Sequence, residues 1–247
     1  MPIGIIESLD HEARGITRLE GKTIFVEGAL PGEKVEYTSF RRKPNYEVAQ
    51  ADRILKASPD RVAPKCPHYG SCGGCSMQHL DSTAQVAAKQ RVLEANLWHL
   101  ARLKAEQLYS PIYGAPWGYR QRARFSVFMA PKAGALVGFH ERKSSFIADI
   151  RECPNLPPAV SALIQPLREL VAALSIRRAI PQIEVAVGEA VTVLVLRNLE
   201  APIKADEALL RAFADRHRIV FFLQPKGPAS AYPFYPLDAR RLSYRMP

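Results

Sequence analysis

Residues 65–79 read KCPHYGSCGGCSMQH, and this short stretch decides how the rest of the chain is organised. Cys66, Cys72 and Cys75 follow a C-x5-C-x2-C spacing, and the fourth cysteine, Cys153, stands 78 positions after Cys75 in RECPNL. Gly73 and Gly74 lie between the second and third, so the loop can curl tightly and aim several sulfurs at one object. Disulfides are not expected. The N-terminus MPIGIIESLDHEARG carries no targeting signal, and clustered thiols in a cytoplasmic chain point to metal. An iron–sulfur cluster on Cys66, Cys72, Cys75 and Cys153 is the favoured occupant, and the Cys153-Pro154 step matches the end of a bacterial ferredoxin run. Zinc is the alternative. A four-cysteine zinc site usually has two short pairs, whereas here one gap is five and the second pair is missing. His68 or His79 could instead complete a zinc site of three thiolates and one imidazole, leaving Cys153 idle. With either metal the long loop from Cys75 to Cys153 closes at modest entropic cost, because that cost grows only logarithmically. The metal is expected to act as a structural brace.

The 247 residues, 47% of them hydrophobic, suffice to bury a core and to form two domains. No apolar run approaches the roughly 18 residues of a membrane span, so a soluble, monomeric, cytoplasmic protein is expected. The net charge of +10 is unevenly spread. Residues 1–60 carry 9 basic and 10 acidic side chains, residues 61–153 carry 13 and 6, and residues 154–247 carry 12 and 8. The excess centres on the cysteine-bearing segment, which points to a nucleic-acid partner. The six histidines are scattered, with no serine or aspartate constellation beside them that suggests a hydrolase.

Residues 1–57 alternate short apolar runs with turn signals: Ile3–Ser8, Ile16–Leu19, Thr23–Val26, Glu33–Phe40 and Tyr46–Leu55. Five short strands without a helix predict a small closed barrel of the oligonucleotide-binding type. Residues 58–80 form a linker and the cysteine loop, and residues 81–247 an α+β domain carrying Cys153. Asp81 or Ser82 should cap a helix to Lys104 with Val86, Leu93, Leu97 and Leu100 on one face. From Tyr119 the period becomes two, which places Arg120, Arg122 and Arg124 along one face of a strand. Three guanidinium groups at that spacing span about 13–14 Å and suit successive phosphates. Pairing with carboxylates across the sheet is the competing reading. Strands are expected at Leu136–Glu141 and Phe146–Ile150, with the basic pair Arg142-Lys143 in the turn between them. A helix Pro158–Leu174, strands Gln182–Val187 and Val191–Arg197, a helix Lys204–His217 and a strand Ile219–Leu223 follow. The tail from Pro225 reads as irregular, with one late strand at Leu242–Arg245.

With these residues in place, a family resemblance can be stated. Ala29–Glu33 (ALPGE), preceded by Arg14-Gly15-Ile16 and Gly21, resembles a TRAM domain, an RNA-binding barrel. Cys66–His79, Tyr119–Phe125, Val137-Gly138-Phe139 and Ile150 with Cys153-Pro154 resemble the bacterial RNA uracil-5-methyltransferases that carry an iron–sulfur cluster, most closely the branch acting on 23S ribosomal RNA. The resemblance implies a 4Fe–4S cluster on Cys66, Cys72, Cys75 and Cys153, and an RNA-binding role for Arg120, Arg122, Arg124, Arg142 and Lys143. It also implies S-adenosylmethionine as methyl donor in the full-length enzyme, bound by a C-terminal domain whose cysteine adds to C6 of the target uracil. That domain has no counterpart here, and no thiol is left over if all four hold the metal. The chain alone is therefore expected to be inactive, as the recognition half of an enzyme. A stand-alone, metal-stabilised RNA-binding protein without catalysis is the alternative.

Overall fold

The computed structural model describes residues 1–238 and 242–244. The chain divides into two compact units, one formed by Met1–Pro67 with Cys75–Tyr113, the other by His68–Gly74 with the chain from Gly114 onward.

The first unit is built on one six-stranded sheet. Its strands are β1 (Ile3–Ile5), β2 (Ser8–Leu9), β3 (Gly15–Leu19), β4 (Lys22–Glu27), β5 (Lys34–Arg42) and β6 (Tyr46–Lys56). Their order is β1-β5-β6-β4-β3-β2, so the hydrogen-bonded ladder is not closed and the expected barrel closure is absent. The single strand expected over Ile3–Ser8 is split. The Ile6 amide bonds to the Glu33 carbonyl and the next amide, Glu7, to the Ile16 carbonyl, so the chain changes partner in one step. Alternation buries Ile24 and Val26 of β4, Val35 and Tyr37 of β5 and Ala49 of β6 with Ile6 and Ala29 as one core.

A buried ion pair fastens this sheet to the linker. Glu33 is fully buried and accepts from the Leu30 amide (2.8 Å), the Ser58 amide (3.1 Å) and the Arg61 guanidinium (Nη2, 2.8 Å). Arg61 also donates to the Gly28 carbonyl (2.7 Å) and pairs through its backbone with Leu80. The linker thereby holds the start of α1 (Ser82–Ala101), where the Asp60 carbonyl accepts from the Asp81 amide (2.9 Å) and the Asp81 carboxylate caps Thr83. Helix α1 stops three residues short of Lys104. Arg102 is left-handed (φ 56°), and Leu103 bonds back to the Leu97 carbonyl in a Schellman arrangement. The expected buried stripe is not formed: α1 buries none of its side chains, and Leu93 and Leu100 are exposed.

The second unit holds a mixed sheet with strands β7 (Arg122–Ala130), β8 (Gly134–Gly138), β9 (Gln182–Val187), β10 (Thr192–Arg197), β11 (Ile219–Gln224) and β12 (Tyr232–Tyr235). The order is β12-β11-β10-β9-β7-β8, with β10 and β11 parallel and the other neighbours antiparallel. Helix α4 (Lys204–His217) makes the crossover between the parallel pair. The helix expected over Pro158–Leu174 is broken into α2 (Pro158–Ser161) and α3 (Ile164–Ala173). Pro166 explains the break, since it has no N–H for the Ala162 carbonyl and its ring crowds that carbonyl. Phe125, Ile183, Leu194, Leu196 and Phe221 from the sheet pack with Leu167, Val171 and Leu210 from α3 and α4. Asp206 accepts from the Ile203 and Ser175 amides (3.2 and 2.7 Å), so one carboxylate closes the start of α4 and anchors the chain after α3. Strand β12 forms where irregular chain was expected, because its one proline, Pro233, lies on an edge strand where a missing N–H is tolerated. Leu242–Tyr244 carries no strand, and Arg245 of the expected late strand lies outside the described residues.

Burial alone would raise the Glu33 carboxyl, but Arg61 and the Ser58 and Leu30 amides outweigh it and hold it below the usual glutamate range. A depressed carboxyl stabilises the fold above its unfolded pKa, and that contribution is lost as pH falls through the folded value. Stability of the first unit should therefore decline as pH drops below the ordinary 4.5. Glu33→Gln should flatten that decline and lower stability at neutral pH by about 2–3 kcal/mol. Urea melts at pH 7 and pH 4 measure both effects, and equal acid sensitivity of the two proteins would refute the assignment.

Candidate metal centre and nucleic-acid interface

The cysteine loop is held by main-chain bonds before any metal is considered. In the second unit, Cys72 N donates to the His68 carbonyl (2.9 Å), Arg142 N to the Ser71 carbonyl (2.9 Å) and Gly73 N to the His140 carbonyl (2.8 Å). Cys72 and Glu141 form an antiparallel bridge. Glycine is required at position 73, where a Cβ would sit 2.9 Å from the His140 oxygen. Further along the same track, Arg151 N donates to His68 Nε2 (3.1 Å). The zinc alternative through His68 thus loses that nitrogen to the backbone.

The surroundings of Cys72 suit a thiolate ligand. The Gly74 amide donates to Cys72 Sγ (3.4 Å), which favours the charged sulfur. Cys72 is half-buried and packs against the second unit's core, to which the buried Cys153 belongs. Cys153 N donates to Ser161 Oγ (2.9 Å) in α2, and the Cys153 carbonyl accepts from Leu156 N (3.1 Å), so this residue sits in a fixed turn. In the first unit, Cys66 N donates to Oε1 of the buried Gln78 (3.1 Å), and Cys75 is half-buried. Each unit by itself therefore carries two of the four thiols. Among the described residues, no group of three or more His, Cys, Asp or Glu side chains is arranged to hold a metal ion.

The three-arginine ladder is corrected by the structure. Strand β7 begins at Arg122; the Gln121 carbonyl still accepts from the Val187 amide of β9 (2.8 Å), but before it Gly118 N pairs with the Pro154 carbonyl and Arg120 N with the Asn155 carbonyl, both 2.9 Å. Arg120 turns its guanidinium 5.7 Å over the Phe139 ring and 3.4 Å from the Gly74 carbonyl. Its backbone thus follows the Cys153 turn while its side chain meets the Cys72 loop. Arg122 and Arg124 do share the outer face of β7 and are exposed. Arg124 Nε and Nη2 lie 3.1 Å from Glu184 Oε1, directly opposite on β9, so the cross-strand pairing weighed against a phosphate ladder is realised there. Arg122 faces Ala186 in the register. Arg142 and Lys143 occupy the turn after β8, with Lys143 exposed and left-handed (φ 70°).

Sequence reasoning missed Phe139, Ser161 and Asn155 as supports of the loop. Phe139 carried a signal, the Gly138-Phe139 step just before the basic turn. Ser161 and Asn155 carried none, since hydrogen bonds of this kind leave no periodicity. Glu184 was findable from the alternation of β9 with acid outward. Gly73→Ala should push the loop off His140 and speed thiol modification of Cys72 in the metal-free protein, while Gly227→Ala, at a position of ordinary φ (−71°) whose Cβ would meet nothing within 4 Å, leaves Cys72 as slow as in the parent. Residue-resolved alkylation rates measure this, and equal rates for the two variants would count against a clamped loop.

Three comparisons bear on what such a scaffold belongs to. The TRAM domain family model matches residues 5–46. The protein of Dechloromonas aromatica called 23S rRNA (uracil(1939)-C(5))-methyltransferase RlmD is 60% identical over 248 residues, covering 100% of this chain and 57% of its own length. Proteins of the same name from Burkholderia pseudomallei (62% identical, 100% of this chain, 54% of their length) and Nitrosospira multiformis (59%, 98% and 56%) match equally well. The crystal structure of Pyrococcus abyssi tRNA (uracil-54, C5)-methyltransferase in complex with S-adenosyl-L-homocysteine shares the fold, with a TM-score of 0.60 at 20% identity over 95% of this chain and 54% of that one. The chain spans a little over half the length of the curated relatives it matches. Residues 5–46 thus match the TRAM domain, and the chain is similar from end to end to proteins named 23S rRNA uracil-C5-methyltransferases.

Proposed function

We propose that this chain is the RNA-recognition and iron–sulfur portion of an S-adenosylmethionine-dependent 23S rRNA uracil-C5-methyltransferase of the cytoplasm. The observation that carries this reading is identity near 60% across the whole chain to proteins named for that reaction. Methyl transfer is assigned to the part of those relatives that has no counterpart here. It would bind S-adenosylmethionine and supply the cysteine that adds to C6 of the uracil, making C5 nucleophilic. On this reading the chain alone binds RNA and methylates nothing.

Cys66, Cys72, Cys75 and Cys153 are proposed to hold a 4Fe–4S cluster, which when bound would serve as a covalent brace. The chain's own residues prepare for it. Gly73 lets the loop approach His140, the Gly74 amide favours a thiolate at Cys72, and Ser161 and Gln78 fix the backbone at Cys153 and Cys66. Arg122, Arg124 and Lys143 are proposed to meet RNA phosphates, with Arg142 presented beside Lys143 in the same turn. Arg124 would exchange its exposed Glu184 partner for a phosphate group, which a guanidinium can meet with the same two-pronged geometry. Arg120 is better read as a support of the cysteine loop.

The test of the cluster is metal and sulfide analysis of anaerobically purified protein, expected to give one 4Fe–4S equivalent per chain and broad absorption near about 400 nm. A colourless protein with one zinc would overturn it. For RNA, Arg122→Ala with Arg124→Ala should weaken binding to a ribosomal RNA fragment and reduce the salt slope by roughly 1–2 units. Arg120→Ala should leave that slope alone while loosening the cysteine loop. A reversed pattern would return Arg120 to the RNA interface.

A further inference from the structure

We propose that the β10–β11 part of the second unit's outer sheet face, beside and not over Arg122 and Arg124 of β7, is the docking seat of the further portion that the longer relatives carry, a protein domain that presents an apolar surface of its own. The inference rests on the reading above, that the chain is one portion of a longer methyltransferase. Strands β10 and β11 are apolar on both faces. Leu194, Leu196, Phe221 and Leu223 point to the core shared with α3 and α4, and the alternate residues Val193, Val195, Val220 and Phe222 point the other way. Strands that read as continuous apolar runs belong to sheets covered on both sides, and among the described residues one side carries the helices α3 and α4 and the other carries none.

On the other side lies a groove of about 1290 Å³ floored by those four side chains. That exceeds the roughly 300–1,000 Å³ of small-molecule pockets. Its rim is greasy as well: Leu237 is 76% exposed, Tyr244 68% and Leu242 42%. Val193 and Val220 are already buried, Val195 and Phe222 half-buried, and the exposed apolar rim is of a kind found at protein contacts. Arg122, Glu184 and Glu189 line the groove on its β7–β9 side, whereas the β10–β11 part is Val193, Val195, Val220 and Phe222 and offers RNA phosphates no side-chain donor. The rim is also set in place. Glu189 N donates to the Ser243 carbonyl (2.9 Å), and a Cβ at Gly188 would lie 2.8 Å from Leu242 Cδ1 and from the Ser243 oxygen. More than two-fifths of the Dechloromonas and Burkholderia relatives lies outside the match with this chain, a length sufficient for a domain.

Hydroxyl-radical footprinting read by mass spectrometry tests the assignment without any variant. The side chains at Val195, Phe222 and Leu242 should be oxidised several-fold more slowly in the full-length Dechloromonas relative, at the aligned positions, than in this chain. Equal rates would overturn the proposal. So would protection in this chain alone that Phe222→Glu abolishes together with dimerisation in sedimentation velocity, which would assign the face to a second copy. Protection that appears only on adding an RNA hairpin would assign it to nucleic acid and equally overturn the proposal. Uracil methylation by the same full-length preparation is measured in parallel. Methylation without protection sinks the docking seat and leaves the function standing, whereas protection without methylation does the reverse.

Discussion

Two main-chain hydrogen bonds between residues 68–74 and 140–142 set the arrangement on which the site depends. They act as a miniature antiparallel ladder: the Ser71 carbonyl accepts from Arg142, the His140 carbonyl accepts from Gly73, and Cys72 sits between them opposite Glu141. A backbone ladder places a sulfur more narrowly than side-chain contacts can, because it fixes φ and ψ as well as position. Cys72 is therefore presented before a metal arrives, and metal binding need not supply the ordering entropy of the loop. The same ladder carries Arg142 and Lys143 in its turn, so the proposed metal site and the proposed RNA turn share one support.

The first unit is secured differently, by one buried carboxylate with four donors. Glu33 gathers the turn at Leu30, the linker at Ser58 and the Arg61 guanidinium, and Arg61 reaches on to Gly28. A buried charge satisfied this fully specifies a single path for the chain, since any slip of the linker would leave it unpaired in an apolar setting. Asp206 plays a smaller version of the part in the second unit, joining the start of α4 to Ser175.

How much of this was legible depended on the kind of interaction. Strands β4, β5, β6 and β9 and helix α4 followed from alternation and helical spacing, because each has one face on a core. The partner change at Ile6 was not legible, since a strand that leaves one neighbour for another keeps its alternation. Pro166 could have split the helix on paper but lies too near an apolar run to weigh against it. Arg120 was misplaced because a period of two continues through Tyr119 and Gln121 although the strand begins at Arg122. The apolar stripe of α1 was legible but is only partly covered, with Val86 and Leu97 half-buried and Leu93 and Leu100 exposed. For the metal, spacing showed which four residues to watch, and the supports of the loop, chiefly backbone groups, left no mark in the residue types.

The division of the chain has a practical consequence for anyone who wishes to dissect it genetically. His68–Gly74 belongs to the second unit, while the residues on either side of it belong to the first. The polypeptide leaves one body for seven residues and then returns. A truncation at any single point therefore cannot yield both halves intact. A fragment starting at Gly114 would lack the strip that pairs with His140 and Arg142, and one ending at Pro67 would lose α1. Any dissection has to preserve the excursion, by circular permutation or by supplying the loop as a separate peptide.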